Sequence, residues 1–193
     1  QNGLGLRCGA FDVNAACSGF VYSLVVAHGL LAMGARKILV IGTDTLARIT
    51  DWEDRNTAIL FADGSAAVVL EAAENGGQLL AWNLDADGSA EEFLFAEIGG
   101  HIKMDGKEVF RRAVRIMCDS AEKSMADAGL TVDDIAMVVP HQANIRIIQA
   151  ACDRLGIPEE RTATVLHYTG NTSSASIPLA LVDALRSDRI KKG

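Results

Sequence analysis

FDVNAACSGFVYSLVVAHGLL, residues 11–31, is the stretch on which the reading of this chain turns. Residues 8–16 read as a strand. Residues 18–33 read as a helix apolar nearly all round, the mark of a helix buried on several sides, with Gly34 as its stop. Cys17 sits where one pattern gives way to the other. Taken alone, a cysteine is more often a buried small hydrophobe than a nucleophile. Its position argues for reactivity, because a thiol in the first helical turn feels the positive end of the dipole, which lowers its pKa from about 8.5.

Outward from that junction the chain alternates between elements. KILVIGTD (37–44) is a continuous apolar run of the kind found in buried parallel strands. TAILFADGSAAVVLEA (57–72) reads as two strands of a hairpin turning at Asp63 and Gly64, after the exposed loop TDWEDRNT. ENGG (74–77) marks a junction, dividing the chain into residues 1–76 and 77–193. A strand is expected over 79–84. Val109, Phe110, Ala113, Val114, Met117 and Ala121 recur at helical spacing, so a long amphipathic helix should end near Gly129. DIAMVVP then reads as a strand, NIRIIQAACDRLG as a helix, TATVLHY as a strand and 173–186 as a last helix.

Composition narrows the function classes. The 193 residues are 49% hydrophobic and 22% charged, which suits a buried core. A formal net charge of −7 argues against nucleic acid as the main partner. Charges and glycines interrupt every apolar run, so no membrane span is expected. Cys8, Cys17, Cys118 and Cys152 form no C-x-x-C pair and read as reduced thiols of a cytoplasmic protein. The four histidines show no metal-ligand spacing, so no metal site is expected.

FDVNAAC and DIAMVVPH each place a reactive side chain at the carboxyl end of an expected strand, where ligands bind in open α/β sheets. TVLHYTGN offers a third such end. Their convergence would bring Cys17, His141 and Asn171 to one crevice. His141 alone could be a structural loop histidine, and Asn171 could simply cap the following helix.

AACSGF, PHQAN and GNTSSAS, in this order, resemble the ketosynthases of the thiolase superfamily, specifically β-ketoacyl-acyl-carrier-protein synthase III. The likeness also takes in DTLAR, FADGSAAVVL and NIRIIQAACDRLGI. Chalcone synthases and HMG-CoA synthases share a Cys–His–Asn set; HQAN followed by GNTSSASIP points to synthase III. The resemblance implies a thiolase-like five-layered αβαβα sandwich of two similar halves, here incomplete at both ends, since the opening elements and a Gly-rich last hairpin with one oxyanion donor are missing from the pattern. It implies fatty-acid initiation: Cys17 takes an acyl group from a short acyl-CoA, and His141 and Asn171 support decarboxylative condensation with malonyl-acyl-carrier protein. Coenzyme A is then a substrate, and no separate cofactor is implied. By the same resemblance Arg55 and Asn144 match coenzyme contacts, Arg111 and Arg146 match carrier-docking positions, and the enzyme is a homodimer. A related condensing enzyme of polyketide or alkylquinolone synthesis, or a non-catalytic fragment that keeps only dimerisation or carrier binding, are the alternatives.

Overall fold

A computed structural model describes residues 1–74 and 77–190. The four long helices form where the sequence places them. The first, α1 (Gly19–Ala32), continues a single 3-10 turn, Ala16–Ser18. The long α3 (Gly106–Ala128) begins on an Asp105 carboxylate that accepts the N–H groups of Lys107 and Glu108, and ends at Gly129 in the left-handed conformation. Next, α4 (Ile145–Leu155) starts on the side chain of Asn144 and stops at Gly156 in the same way. The last helix, α6 (Ser176–Arg186), follows a 3-10 turn, Ser173–Ala175, and carries Pro178 in its first turn, where no N–H is needed.

The strands differ more from expectation. KILVIGTD lies in β1 (Lys37–Thr45), but its partner is antiparallel, not parallel: β1 pairs residue for residue with β2 (Asp63–Glu71), from Lys37 opposite Glu71 to Thr45 opposite Asp63. One face of this pair packs on α1 and α6, joining Phe20, Ala27 and Val40 with Leu24, Ile38, Val68, Leu70 and Ile177. Leu39, Ile41 and Val69 on the other face are 42–63% exposed, so this sheet is covered on one side only.

No hairpin turns at Asp63 and Gly64. Asp54 caps a short helix, α2 (Arg55–Ala58), by accepting the N–H of Asn56 and the hydroxyl of fully buried Thr57. The Asp63 carboxylate accepts the Ala47 N–H at 2.8 Å, fixing the start of β2 beside the end of β1. A local cap therefore wins over the strand propensity of the apolar run.

The other expected strands lack ladders. Residues 8–15 and 79–84 are irregular, with no strand beside them among the described residues to satisfy their peptide groups. Leu80 and Trp82 are 60% and 55% exposed. DIAMVVP and TATVLHY meet only in a single parallel bridge, Val138 with Thr162, and the latter segment ends in a short helix, α5 (Leu166–Thr169). Two-residue strands β3 (Leu94–Phe95) and β4 (Lys103–Met104) pair before α3. The exposed back of α1, with Val26 and Leu30 more than a third exposed, likewise falls short of burial on several sides. Of the expected junction 74–77, Asn75 and Gly76 lie outside the described residues.

Two further clusters complete the core. Ala163, Val165, Ala180 and Ala184 pack with Met137, Val139 and Leu179, and Ile148, Cys152 and Ile157 pack with Val132 and Val138. The turn before α6 lies on the β1–β2 sheet because two glycines leave room for it. A Cβ on Gly42 would stand 2.5 Å from the Ser174 carbonyl oxygen, and one on Gly64 would stand 2.7 Å from the Thr172 side chain. Gly42→Ala should therefore cost about 1–3 kcal/mol in a denaturant titration, the range for overpacking a close contact. Gly29→Ala, in α1 with open space around it, should be neutral or stabilising. Equal stability of the two variants would contradict this packing.

Candidate functional site

The sharp bend into α1 is made at Ala16, a non-glycine residue with φ 45°. That bend places partly buried Cys17 in the first turn of the helical segment. Among the described residues the backbone N–H of Cys17 makes no hydrogen bond to another residue; it points back toward its own sulfur. Asn171 is held as a strand end: its N–H donates to the Leu60 carbonyl and its own carbonyl accepts the Ala62 N–H, both at 2.9 Å, in a parallel bridge with Phe61. His141 follows Pro140 at the end of the bridged segment, as expected for a strand end.

Two serines that follow Asn171, Ser173 and Ser176, reach all three. Ser173, with φ 51°, donates its hydroxyl to the Cys17 sulfur at 3.5 Å, while its N–H donates to Asn171 Oδ1 at 3.0 Å. With Oδ1 so engaged, the amide NH₂ is the end of Asn171 left to donate. Ser176 Oγ lies 2.6 Å from His141 Nδ1. Between them Ser174 donates its N–H and hydroxyl to one oxygen of Asp44, at 2.9 and 2.5 Å. Residues 171–176 thus gather the three candidates predicted from the sequence.

Electrostatics push this site toward neutrality. Burial raises the Cys17 thiol above its ordinary range; the Ser173 hydrogen bond acts against the rise and the Asp44 carboxylate adds to it. This corrects the expectation that the helix start leaves the thiol depressed, because desolvation of the charged form outweighs the dipole. Burial also lowers His141 to about 4, so the imidazole is neutral at physiological pH.

Sequence reasoning missed several residues that position these groups. Gln142 is fully buried; its NH₂ donates to the carbonyls of Pro140 and Ala163, and its carbonyl accepts the Val165 N–H. It ties the His141 segment to the segment leading into Asn171. Gln142, Ser173, Ser174 and Ser176 all lie inside the quoted motifs PHQAN and GNTSSAS, so the available signal was the density of small polar residues there. Asp44 carried none. Among the described residues no group of three or more His, Cys, Asp or Glu side chains could hold a metal.

Comparison with known proteins settles the family. Residues 11–88 match the model of 3-oxoacyl-[acyl-carrier-protein] synthase III, and residues 125–193 match the model of its C-terminal part. The chain belongs to this family. It is 49% identical over 203 residues to the β-ketoacyl-[acyl-carrier-protein] synthase III of Rhizorhabdus wittichii, and 46% identical over 207 residues to that of Rhodobacter capsulatus. In both cases all of this chain and 64% of the relative are covered. The crystal structure of the Pseudomonas aeruginosa synthase III superposes with a TM-score of 0.95 at 41% identity, covering 100% of this chain and 63% of that one. The chain thus has the thiolase-like α/β fold of synthase III and spans less than two thirds of its relatives' length.

The other positions expected from the resemblance are on the surface or at caps. Arg55 opens α2 and is exposed. Asn144 spends its side-chain oxygen on the Arg146 N–H as the cap of α4, leaving its amide nitrogen without a hydrogen bond among the described residues. Arg111 is exposed but paired with Glu108 at 2.6 Å; Arg146 is exposed at the start of α4, which packs on α3. Arg112 instead bridges Asp87 at 3.2 Å and lies over the Phe93 ring, a structural role.

Two outcomes follow from the electrostatics. Since His141 titrates lower folded than unfolded, the unfolded chain takes up its proton first, and stability falls as pH drops from about 6.5 to about 4. At about 1.36 kcal/mol per pKa unit, the loss over that window should exceed that of a His141→Ala variant by roughly 3 kcal/mol; parallel stability curves would contradict a half-buried neutral ring. Ser173→Ala should move the pH profile of Cys17 alkylation to higher pH and slow it about fivefold at pH 7, the worth of one hydrogen bond.

Proposed function

We propose that this chain carries the condensing centre of a synthase III that starts fatty-acid synthesis. The observation that carries the reading is Ser173, which holds the Cys17 sulfur and the Asn171 amide at once, beside a neutral His141 fastened from the same turn.

The chemistry follows from those roles. Cys17 gives up its proton and attacks the thioester carbonyl of a short acyl-CoA as the thiolate, the Cys17 N–H stabilises the oxyanion, and coenzyme A leaves as a thiolate that takes up that proton. Malonyl-acyl-carrier protein then binds and loses carbon dioxide. The enolate oxygen left on its thioester accepts hydrogen bonds from His141 and Asn171, both neutral donors. The enolate carbon attacks the acyl-cysteine carbonyl, Cys17 leaves as thiolate, and a 3-ketoacyl-carrier product results. Coenzyme A enters only as substrate, with Arg55 and Asn144 as its contacts, and no resident cofactor is required. The working enzyme is a cytoplasmic homodimer. Its family supports this reading, as does the likeness to proteins named as synthases of an acyl-carrier-protein thioester.

Docking an acidic carrier to a chain of net charge −7 calls for local positive charge. Arg111 and Arg146 supply it from the neighbouring helices α3 and α4. Reversing both charges should weaken malonyl-carrier binding at least tenfold and leave transfer of the acyl group from acyl-CoA to Cys17 nearly unchanged. Equal losses in both half-reactions would refute the docking role. For the centre itself, Cys17→Ser should abolish the acyl-enzyme detected by intact-protein mass spectrometry, and substoichiometric iodoacetamide should label Cys17 ahead of Cys118 and Cys152. An acyl adduct surviving in Cys17→Ser would overturn the assignment.

A further inference from the structure

Ser176 has an unusual set of constraints. It is fully buried at the start of α6, and its Oγ makes two contacts among the described residues. It accepts the backbone N–H of Gln142 at 3.2 Å, and it lies 2.6 Å from His141 Nδ1. A hydroxyl has one proton to donate and two lone pairs to accept with. Gln142 is immobilised by three side-chain hydrogen bonds, so its N–H is a fixed donor and uses one lone pair.

The hydroxyl proton must therefore go to an acceptor, and His141 Nδ1 is the only candidate in contact among the described residues. If Nδ1 carried the ring proton instead, Ser176 would accept twice and bury its own O–H with nowhere to point, a costly arrangement for a fully buried hydroxyl. The other ring nitrogen, Nε2, makes no hydrogen bond among the described residues.

We propose that Ser176 sets the tautomer of His141: its hydroxyl donates to Nδ1, the ring proton resides on Nε2, and that N–H is the one offered to substrate. Ser176 is then a positioning residue, acting on the reaction only through His141. Its consequence for condensation rests on the reading of His141 as an enolate donor given above; the tautomer itself does not. A ring of the opposite tautomer would present a lone pair to a developing negative charge, which repels where it should donate. Gln142 belongs to the same device, since it supplies the N–H that forces the hydroxyl to turn toward the ring.

The test reads the ring directly. In protein carrying ¹⁵N-histidine, long-range ¹H–¹⁵N correlation distinguishes the two neutral tautomers, and the His141 signals are those that vanish in His141→Asn. An Nε2–H pattern, constant from pH 6 to 8, is expected; an Nδ1–H pattern or a charged ring overturns the proposal. Ser176→Ala should give a tautomer mixture and lower the condensation rate about tenfold or more, since a misplaced ring proton is costly in histidine catalysis. Alkylation of Cys17 should stay within about twofold, showing the site still formed. An unmixed Nε2–H ring with full condensation in Ser176→Ala also overturns it. Should Ser176→Ala not fold, the native spectrum decides. An Nε2–H ring in a protein that does not condense acyl groups would refute the functional reading and leave the tautomer assignment standing.

Discussion

The Asp44 carboxylate is the point from which the site is built. It accepts two hydrogen bonds from Ser174, a residue 130 positions later in the chain. Bonds to a charged acceptor are roughly twice as strong as neutral ones. They clamp the turn before α6 onto the end of β1, into the gap kept open by Gly42 and Gly64. Everything the turn does next depends on that seat. Ser173 on one side of the clamp reaches Cys17 and Asn171, and Ser176 on the other reaches His141. The clamp also has a chemical cost, because the same negative charge disfavours the Cys17 thiolate.

Burial acts in opposite directions on the two titratable groups and brings both to the neutral state. The thiol is pushed up and the imidazole down, each because its charged form loses water. A neutral histidine suits the proposed role of enolate donor. An imidazolium would attract the oxyanion but would also pair with the carboxylate of the proposed malonyl substrate. Neutral N–H donors in a low-dielectric pocket gain strength as negative charge develops on the oxygen they face, and they need no reorganisation when it does. The thiol must then rely on the Ser173 hydroxyl and on its own N–H for help in forming a thiolate.

Much of this was legible in the sequence, and the rest was hidden for identifiable reasons. The helices were readable because their signals are local: Gly129 and Gly156 end α3 and α4, and Asn144 starts α4. Cys17, His141 and Asn171 stood out as candidates because each stands in a short motif of distinctive neighbours. Strands were harder, since a strand is defined by what lies beside it. Residues 8–16 and 79–84 have strand-like composition and no ladder partner among the described residues, and Val138 and Thr162 share only one bridge. The run after Thr57 was misread because Asp54 was taken for loop polarity when it caps a helix. Asp44 was invisible because its partner is distant in sequence, and Ser176 because a serine at a helix start reads as an ordinary surface residue.

Two of the three strained non-glycine residues among those described stand on the two sides of the Cys17 sulfur. Of the three non-glycine residues with positive φ, Ala16 precedes the cysteine and Ser173 donates to it. Such conformations cost on the order of 1–3 kcal/mol each and persist only where surrounding contacts determine them. At Ala16 the strain is the geometric condition for turning an extended chain into a helix within one residue, which puts the sulfur in the first turn. At Ser173 a glycine would relax the backbone, yet it would also delete the hydroxyl on which the thiol depends. The N–H of that same residue must point back to Asn171 Oδ1 while its side chain points to sulfur, and the left-handed conformation is what separates those two directions. The strain is thus the structural consequence of asking one residue to orient both the thiol and the amide, and the Asp44–Ser174 clamp next to it is what keeps the turn from relaxing.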